Sequence, residues 1–236
     1  MVQDFQPKTP NNKTILFFCR ENCEFSKMGI NLMLDLGYTL KVVFNQGKGG
    51  KLPKDIELFE CDYIICFRSW FILPKQLIEK PKYFAINLHP GPPAYPGSGC
   101  INFAFYNEEN YFGVTTHLME EKVDSGKIID YETFPLLQSQ TLENVLKTTH
   151  QKLYNQLTDL ILNLSAFGNE YVHQKIKENE GVKWSEKKRK LKEVEEHREI
   201  KFDMDKKEIA KRIRSFHHPD YPVFIILDEK RFYLKK

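Results

Sequence analysis

The sequence predicts an α/β protein with a mostly parallel sheet, followed by a small C-terminal α+β module that ends in a β-hairpin. Short apolar runs such as TILFFC and DYIICF alternate with segments of helical periodicity, which is the pattern of parallel strands covered by helices on both faces. A chain of 236 residues with 41% hydrophobic residues can also bury a sizeable core. In sheets of this kind, ligands bind beyond the carboxyl ends of the strands.

The first half of the chain alternates strands with helices. Met28, Leu32 and Leu36 recur at helical spacing and Gly37 stands where a helix would end, which predicts a helix in EFSKMGINLMLDLG. LPKQLIEK, with a proline near its start, predicts a second, short helix. The continuous apolar runs predict strands over residues 13–19, 38–44, 62–67 and 83–88.

The second half begins with GCINFAFYN, which suits a short buried helix. Residues 112–119 and 127–136 predict a hairpin-like pair of strands around the turn EEKVDSG. A long amphipathic helix is expected over residues 141–164, because leucines recur there at helical spacing and Thr141 supplies a polar group at the start.

The composition changes near residue 180. We expect a main domain over residues 1–180, a charged linker over residues 181–200 and a small module over residues 201–236. The basic run EKKRKLK in the linker is typical of a solvated surface. The module is predicted to hold a helix in DKKEIAKRIRSF, a turn in HHPDYP and a β-hairpin formed by VFIIL and RFYLK.

Charge and cysteine content exclude several classes of protein. The 35 basic residues against 32 acidic ones give a net charge of +3, which does not by itself indicate a nucleic-acid partner. The apolar runs are far shorter than the roughly 18 residues that span a bilayer, and the amino terminus lacks the pattern of a secretory signal. The five cysteines have no zinc-site spacing, so we expect no metal, and buried, reduced thiols in a cytoplasmic protein.

Four polar residues stand at predicted strand ends and turns. Asn87 and His89 are two residues apart at the end of a strand, so their side chains point to the same side, and a proline- and glycine-rich loop follows them. Asp124 lies in the turn VDSG, and His117 lies in the strand before that turn. Each also fits a structural role, as a histidine bonded to turn carbonyls, an ordinary turn aspartate or a cross-strand partner. Spacing alone leaves both interpretations open, and no nucleophile elbow, dinucleotide motif or phosphate loop is present.

Three motifs together resemble the folate-dependent formyltransferase family, which includes glycinamide ribonucleotide transformylase and methionyl-tRNA formyltransferase. They are NLHPGPPAYPG, the strand GVTTHLM and the turn VDSG, in that order. The form HPGPPAYPG and the tail RIRSFHHPDYP are most similar to the members that act on nucleotide-linked amino sugars. The resemblance implies a Rossmann-like fold, residues 1–180 as the catalytic domain, N10-formyltetrahydrofolate as the formyl donor and a primary amine as the acceptor.

In this family an Asn, a His and an Asp form the catalytic triad, which carries over here to Asn87, His89 and Asp124. When an uncharged amine attacks the formyl carbonyl, Asn87 and His89 are expected to donate hydrogen bonds to the developing oxyanion, a type of stabilisation often worth about 3 kcal/mol per donor. Asp124 is expected to orient His89, to stabilise its charge, and to accept the proton of the amine directly or through water.

The resemblance also implies where the two substrates bind. The donor is expected between the loop FRSWFILP and the Asp124 loop, and the apolar residues there equally suit a buried core. Tyr221 or Phe216 would stack on a thymine base, and arginines of RIRSF, or nearby lysines, would contact the phosphates. The expected donor contacts are Phe67, Arg68, Ser69, Trp70, Ile72, Leu73, Val123 and Ser125. The expected acceptor contacts are Pro93, Tyr95, Gly97, Arg214, Phe216 and Tyr221.

Departures from the family pattern narrow the choice of acceptor substrate. The loop CRENCEFS lacks the glycine-rich phosphate loop of the glycinamide ribonucleotide enzymes. The tail is short, and its basic residues are balanced by acidic ones, which disfavours RNA. We therefore expect a dTDP-linked amino-dideoxyhexose as the acceptor, in the first place dTDP-4-amino-4,6-dideoxyglucose, in the biosynthesis of a surface glycan such as the O-antigen of lipopolysaccharide.

The partners follow from the same resemblance. Related enzymes often dimerise through C-terminal hairpins, so a homodimer is expected, with no membrane or nucleic-acid partner. Two alternatives stay open: an enzyme that formylates another amine, such as an aminoacyl-tRNA, and a catalytically decayed protein that binds folate or a nucleotide.

Overall fold

A seven-stranded sheet surrounded by helices forms the body of the protein in a computed structural model that describes residues 1–47, 49–137 and 139–235. The strands are β1 (Val2–Phe5), β2 (Thr14–Arg20), β3 (Thr39–Asn45), β4 (Tyr63–Phe67), β5 (Phe84–His89), β6 (Tyr111–Leu118), β7 (Ile128–Pro135), β8 (Phe224–Leu227) and β9 (Lys230–Tyr233). The helices are α1 (Glu24–Asp35), α2 (Lys75–Ile78), α3 (Cys100–Tyr106), α4 (Leu142–Phe167), α5 (Asn169–Glu178), α6 (Leu191–Arg198) and α7 (Lys206–Phe216), with a short 3-10 turn at Ile56–Leu58.

The sheet combines a parallel centre with antiparallel edges. Its strand order is β1–β3–β2–β4–β5–β6–β7. The four strands β3, β2, β4 and β5 run parallel, β1 pairs antiparallel with β3, and β6 and β7 extend the other edge in antiparallel fashion. The strands β8 and β9 form a separate hairpin. The predicted fold class, including the C-terminal hairpin, is confirmed.

Both faces of the central strands are buried, as their continuous apolar runs predict. In β2, the side chains of Ile15 and Phe17 belong to the apolar cluster under α1 and α4, whereas Leu16 and Phe18 belong to the cluster that contains α2. Alternate residues of a strand point to opposite faces, so a strand buried on both sides has no polar face. The sheet is therefore a rigid platform whose loops at the carboxyl edge can hold a site.

The longest helix, α4, begins and ends close to the predicted limits of 141 and 164. The hydroxyl of Thr141 accepts a hydrogen bond from the N–H of Asn144 at 3.2 Å, a helix cap usually worth about 1 kcal/mol. One face of the helix buries Leu157 and other leucines against the sheet, at about 2 kcal/mol each. The helix stops at Gly168, whose φ of 62° is easy only for glycine.

The segment predicted to be a charged linker is structured and packs on the main domain. Helix α6 lies within this segment, and Arg189 of the same segment forms an isolated β-bridge with Gly97. Phe216 and Val223, from the predicted C-terminal module, share an apolar cluster with Phe103 of α3. The proposed domain limits stay a prediction, but the predicted module and the main domain share one core.

A two-residue turn closes the terminal hairpin. Asp228 and Glu229 have φ angles of 49° and 60°, which identifies the type I′ geometry that matches the twist of the two strands. The limits of the predicted strands, residues 223–227 and 231–235, differ from those of β8 and β9 by only one or two residues.

The five cysteines are all buried and free, as expected from their apolar surroundings. Burial raises the pKa of the Cys19 thiol to about 12 and that of Cys61 to about 11, so both stay protonated at neutral pH. In the described ranges, no helix combines the length and the apolar character needed to cross a membrane.

Candidate active site

Asn87 and His89 lie at the carboxyl end of β5, in the middle of the sheet. The antiparallel register of β5 and β6 places Asn87 directly opposite His117, and His89 opposite Thr115. The ring of His89 is buried, whereas Asn87 is half-buried. Asn87 therefore presents the more accessible polar group at this strand end.

Asp124 reaches this point from the loop between β6 and β7. The loop starts beside Ala85, whose carbonyl accepts the N–H of Met119 at 2.8 Å, and it doubles back until Oδ2 of Asp124 lies 3.3 Å from Nδ1 of His89. The N–H of Gly97 donates to the same carboxylate oxygen at 2.8 Å. The φ of Asp124 is +46°, a conformation that costs a non-glycine residue about 1 kcal/mol or more, so these contacts hold a strained backbone in place.

Both ring nitrogens of His89 are engaged. Its Nε2 lies 3.0 Å from the carbonyl oxygen of Tyr95 and 3.5 Å from Sγ of Cys100, while Nδ1 faces Asp124. Only the doubly protonated ring can donate from both nitrogens. A Cβ at Gly91 would lie 2.7 Å from Nε2, so only glycine fits at that position of the proline- and glycine-rich loop.

The buried pair is an ion pair at neutral pH. Burial opposes protonation of His89, but the Asp124 carboxylate, together with Cys100 and the Tyr95 carbonyl, raises the pKa of His89 to about 9. Burial also opposes ionisation of Asp124, yet the charge of His89 and the contacts with His117 and Gly97 hold the pKa of that carboxyl well below its usual range.

His117 lies between Asn87 and Asp124 and contacts both. Its Nε2 lies 3.1 Å from Nδ2 of Asn87 and 3.4 Å from Oδ1 of Asp124, and its Nδ1–H donates to the Leu118 carbonyl at 2.7 Å. The sequence marks His117 but does not indicate whether it belongs to the site. The register between β5 and β6 places His117 directly beside Asn87, so it is part of the cluster.

Trp184 covers the two histidines, although no motif in the sequence marks it as a site residue. The centroid of its ring lies 5.6 Å from that of His89 and 4.9 Å from that of His117, edge to face in both cases. Its Nε1–H donates to the Gly126 carbonyl at 2.8 Å. The available signal was a tryptophan standing alone in a segment that is otherwise dense in charge, since an exposed linker has no use for such a side chain.

The residues expected to bind the donor fall into two groups. Phe67 and Leu73 are buried in the apolar clusters of the sheet, which corrects the expectation that their side chains contact a ligand. Ile72 and Val123, by contrast, are 75% and 44% exposed, on the loop after β4 and on the loop between β6 and β7. The remaining members of the group, on the same two loops, are Arg68, Ser69, Trp70 and Ser125.

Three of the residues expected to bind the acceptor support the site from within. Pro93 is buried, Tyr95 supplies the carbonyl that binds His89, and Gly97 supplies the N–H that binds Asp124. A Cβ at Gly97, where φ is +90°, would lie 2.4 Å from the Arg189 carbonyl oxygen. These positions shape the site rather than offer side chains to a ligand.

The C-terminal candidates for acceptor binding are only partly available. Phe216 is 2% exposed and packs against Phe103, so the expectation that its ring stacks on a base is wrong. The guanidinium of Arg214 lies over the ring of Phe105 at 4.6 Å. Tyr221 is 46% exposed and stays a candidate.

The fold and this buried cluster define an α/β protein whose polar site lies at the carboxyl edge of a mixed sheet, built from Asn87, His89, His117 and Asp124. The family model described as "Formyl transferase" matches residues 41–161. The chain belongs to this family. In the part of the chain that the structure describes, no cluster of three His, Cys, Asp or Glu residues suited to a metal ion occurs.

Two curated relatives match half of the chain. A phosphoribosylglycinamide formyltransferase from Dictyostelium discoideum is 33% identical over 129 residues, which are 50% of this chain and 63% of that protein. A methionyl-tRNA formyltransferase from Fusobacterium nucleatum is 31% identical over 116 residues, 49% of this chain and 36% of that protein. The chain thus spans less than two thirds of the length of these relatives.

Two solved structures share the fold over nearly the whole chain. A sugar N-formyltransferase from a Shewanella species superposes with a TM-score of 0.72 at 18% identity, covering 95% of this chain and 97% of the other. An N-formyltransferase from Helicobacter canadensis, in complex with folinic acid and dTDP-3-aminofucose, has a TM-score of 0.65 at 17% identity, covering 93% of this chain and 85% of the other.

Proposed function

We propose that this protein is a sugar N-formyltransferase that transfers the formyl group of N10-formyltetrahydrofolate to the primary amine of a dTDP-linked amino-dideoxyhexose. The observation that carries the proposal is the buried pair of His89 and Asp124, with the accessible amide of Asn87 beside it, at the carboxyl edge of a formyl transferase fold. The first choice of acceptor is dTDP-4-amino-4,6-dideoxyglucose, in the biosynthesis of a surface glycan such as the O-antigen of lipopolysaccharide.

The loops around His89 fit a folate donor. Ile72 and Val123 expose apolar side chains, on the loop after β4 and on the loop between β6 and β7, that a flat heterocycle could contact. The Helicobacter canadensis structure with folinic acid supports a folate at this fold. Bound, the donor supplies the formyl carbonyl. We assign its binding to the backbone of Phe67 and Leu73 and to the side chains of the residues between them, with Val123 and Ser125 on the opposite loop.

Asn87 and His89 supply the stabilisation of negative charge. As an amine adds to a formyl carbonyl, charge develops on the carbonyl oxygen, and Asn87 is the accessible amide that can donate to it. His89 is engaged on both nitrogens, so it acts through the positive charge of its ring, which burial leaves poorly screened. Together they stabilise the oxyanion.

Asp124 has two tasks in this arrangement. It keeps His89 protonated, and as an ionised carboxylate it can accept the proton that the attacking amine loses, directly or through one water. The contact between Nε2 of His117 and Asp124 and the N–H of Gly97 orient the carboxylate for both tasks. The ring of Trp184 packs against both histidines and holds their rings in place.

The acceptor assignment rests on the extent of the structural match. The superposition with the sugar N-formyltransferase from Shewanella covers 97% of that protein and 95% of this chain. The sequence relatives favour the runner-up, an enzyme that formylates an aminoacyl-tRNA or another amine. A decayed binding protein is disfavoured, because simple binding requires neither the His89–Asp124 ion pair nor its strained loop.

We further propose a cytoplasmic homodimer. Five free, buried cysteines suit a reducing compartment. The terminal hairpin exposes Ile226, Leu227, Phe232, Tyr233 and Leu234, an apolar surface that a second copy would cover. Sedimentation of the full chain should give twice the mass of one chain, and Phe232→Lys should halve it; a monomer at micromolar concentration would contradict the proposal.

The acceptor is tested with a panel of amines. The full chain is incubated with N10-formyltetrahydrofolate and dTDP-, UDP- or GDP-linked amino sugars, and products are examined by mass spectrometry for the gain of one formyl group. We expect product on a dTDP-linked amino sugar. Turnover on charged initiator tRNA, with none on any sugar, would establish the runner-up, and no turnover on either would leave the decayed binding protein.

Tyr221 is tested separately as the base platform. Tyr221→Ala should raise the KM for the nucleotide sugar by about tenfold, because stacking of a base on an aromatic ring is worth about 1–3 kcal/mol. Phe202→Ala, another exposed aromatic residue, is the matched control. An unchanged KM would remove Tyr221 from the acceptor site.

A further inference from the structure

The chain between α5 and α6 crosses both loops of the candidate active site. We name residues 184–189 the bridging segment. The N–H of Ser185 donates to the Pro93 carbonyl at 2.9 Å. The N–H of Ser98 donates to the Arg189 carbonyl, also at 2.9 Å. The backbone of the bridging segment is therefore bound to the proline- and glycine-rich loop, which supplies two contacts of the buried ion pair.

Two side chains of the bridging segment bind the other loop, between β6 and β7. The indole N–H of Trp184 donates to the Gly126 carbonyl at 2.8 Å. The ammonium group of Lys188 donates to the Val123 carbonyl. The two carbonyls lie on either side of Asp124 in the chain, so the loop is held just before and just after the carboxylate. Only the carbonyl of Val123 is engaged, and its side chain stays exposed on the side that we assign to the donor.

Lys188 differs from its neighbour in the basic run EKKRKLK. The sequence predicts a solvated surface for this run, and Lys187 is exposed. Lys188 is half-buried and lines the same cavity as Asp124, a space of about 800 Å³ between the loop and α5. Lys188 is therefore part of the surroundings of the site.

The bond from Lys188 acts on the peptide group that joins Val123 to Asp124. The carbonyl of Val123 and the N–H of Asp124 lie in one rigid plane, so a bond that holds the oxygen also restricts the φ of Asp124. That φ is +46°, in the left-handed region that a non-glycine residue adopts only at a cost. Without an anchor on this peptide group, the loop can relax toward an ordinary φ and carry the carboxylate away from His89.

Charge acts in the same direction as the backbone contact. Burial, helped by the charge of Lys122, lowers the pKa of Lys188, while the carboxylates of Asp124 and Glu120 oppose this shift. An ammonium group close to Asp124 favours the ionised form of that carboxylate. The ionised form is the one that keeps His89 charged.

We propose that Lys188 is a positioning residue for formyl transfer, which holds the backbone of Asp124 so that its carboxylate meets both His89 and the attacking amine. This inference rests on the proposed function. Gly97 and His117 fix the carboxylate itself, and Lys188 fixes the main chain behind it. A residue of the basic run thereby acts on the reaction without contact with either substrate.

The test compares three variants of the full chain. Lys188→Met removes the ammonium group and keeps the aliphatic stem, whereas Lys188→Arg keeps a cationic donor at the same position. Lys187→Met makes the same change at the exposed neighbour and is the matched control. Circular dichroism and urea unfolding show that each variant is folded before it is used.

Steady-state kinetics with N10-formyltetrahydrofolate and a dTDP-linked amino sugar measure the first consequence. We expect Lys188→Met to lower kcat by about 30-fold or more, because a displacement of about 1 Å can cost about 100-fold in rate. The KM of the acceptor and the binding of folinic acid should change by less than about threefold, since Asp124 acts in the transition state. Lys188→Arg should recover most of kcat, and Lys187→Met should match the natural protein.

Nuclear magnetic resonance of the histidine rings gives a second readout, which needs no substrate. The pKa of His89 is raised to about 9, so its ring is doubly protonated at about pH 8 in the natural protein. Its signals are assigned by their loss in His89→Asn. In Lys188→Met we expect a neutral His89 ring at this pH, because burial opposes the charge once the Asp124 carboxylate moves away.

Three results would overturn the proposal. In folded Lys188→Met, either a kcat within about threefold of the natural value or a His89 ring that is still protonated at about pH 8 would show that the loop holds Asp124 without Lys188. A Lys188→Arg variant no faster than Lys188→Met would show that a cation at this position is not the cause. A loss of folinic acid binding as large as the loss of kcat would mean that Lys188 supports the donor loop instead of the carboxylate.

The outcome is separate from that of the proposed function. If the natural protein formylates no amino sugar, but Lys188→Met still removes the signal of the protonated His89 ring, only the acceptor assignment is wrong. If the natural protein formylates a dTDP-linked amino sugar and Lys188→Met does so with the same kcat, only the role of Lys188 is wrong.

Discussion

At the scale of single residues, the candidate site depends on one buried charge pair. His89 and Asp124 are held 3.3 Å apart beneath the ring of Trp184, and each keeps the other ionised. A buried ion pair of this kind contributes little net stability, but removal of one partner leaves an uncompensated charge. Gly91 and Gly97 lie around this pair, and an added Cβ at either position would clash with a neighbouring atom.

The first prediction concerns pH and stability. The pKa of His89 is raised in the folded protein to about 9, so its contribution to stability is complete below the unfolded value of about 6.5 and is lost as the pH rises through about 9. Thermal melts between pH 6 and pH 9.5 should show this alkaline decline. Asp124→Asn should abolish the decline, because His89 is then neutral when folded. Parallel curves for the variant and the natural protein would contradict the assignment.

The second prediction concerns Trp184 as a positioning residue. Trp184→Ala should lower kcat by about tenfold or more and leave the KM of the acceptor unchanged, because the ring covers the histidines and not the acceptor. Trp184→Phe keeps an aromatic cover and loses only the bond to the Gly126 carbonyl, so most of kcat should return. Steady-state kinetics measure this difference. If kcat of Trp184→Phe is no higher than kcat of Trp184→Ala, an aromatic cover does not explain the role of Trp184.

At the scale of secondary-structure elements, close approaches of backbone fix the loops that carry the site. The loop between β6 and β7 returns along β6 because Gly126 lies against the Leu118 carbonyl, where an added Cβ would be 1.9 Å away. The proline- and glycine-rich loop after β5 meets the segment before α6 at Gly97 and Arg189. Motif residues in the sequence mark these loops, but only the pairing of strands shows what they touch.

The third prediction tests that loop. Gly126→Ala should destabilise the protein by about 3 kcal/mol, because a backbone carbonyl cannot move aside as a flexible side chain can. Gly181→Ala is the matched control, since nothing lies within 4 Å of its added Cβ, and we expect a change below about 0.5 kcal/mol. Urea unfolding of both variants measures the difference; equal stabilities would show that the loop can relax.

At the scale of the whole molecule, the parallel strands of the main domain were predictable because buried parallel strands are continuously apolar. β1 was not predicted, since VQDF has no apolar pattern and is a strand only through its pairing with β3. The helix α6 escaped notice because its charged surface dominates its composition, although Val194 packs into the apolar cluster of α3 and α7. Tertiary contacts, rather than local sequence, decide both elements.

The residues of the candidate site also fall into two groups, those that a sequence motif marks and those that only tertiary contacts reveal. Asn87, His89 and Asp124 were marked by motifs at strand ends and turns, and the structure brings all three together. The contact of Trp184 with the histidines and the burial of Phe216 depend on segments far apart in the chain. No local pattern carries that information.

The central claim is that the cluster of Asn87, His89 and Asp124 transfers a formyl group to an amine. The most direct test measures the initial rate of tetrahydrofolate release from N10-formyltetrahydrofolate, with a dTDP-linked amino sugar, for the natural protein and for His89→Asn. We predict that the variant loses at least about 100-fold in kcat while its circular dichroism spectrum and its binding of folinic acid persist. A folded variant that retains a rate within about threefold of the natural protein would contradict the account.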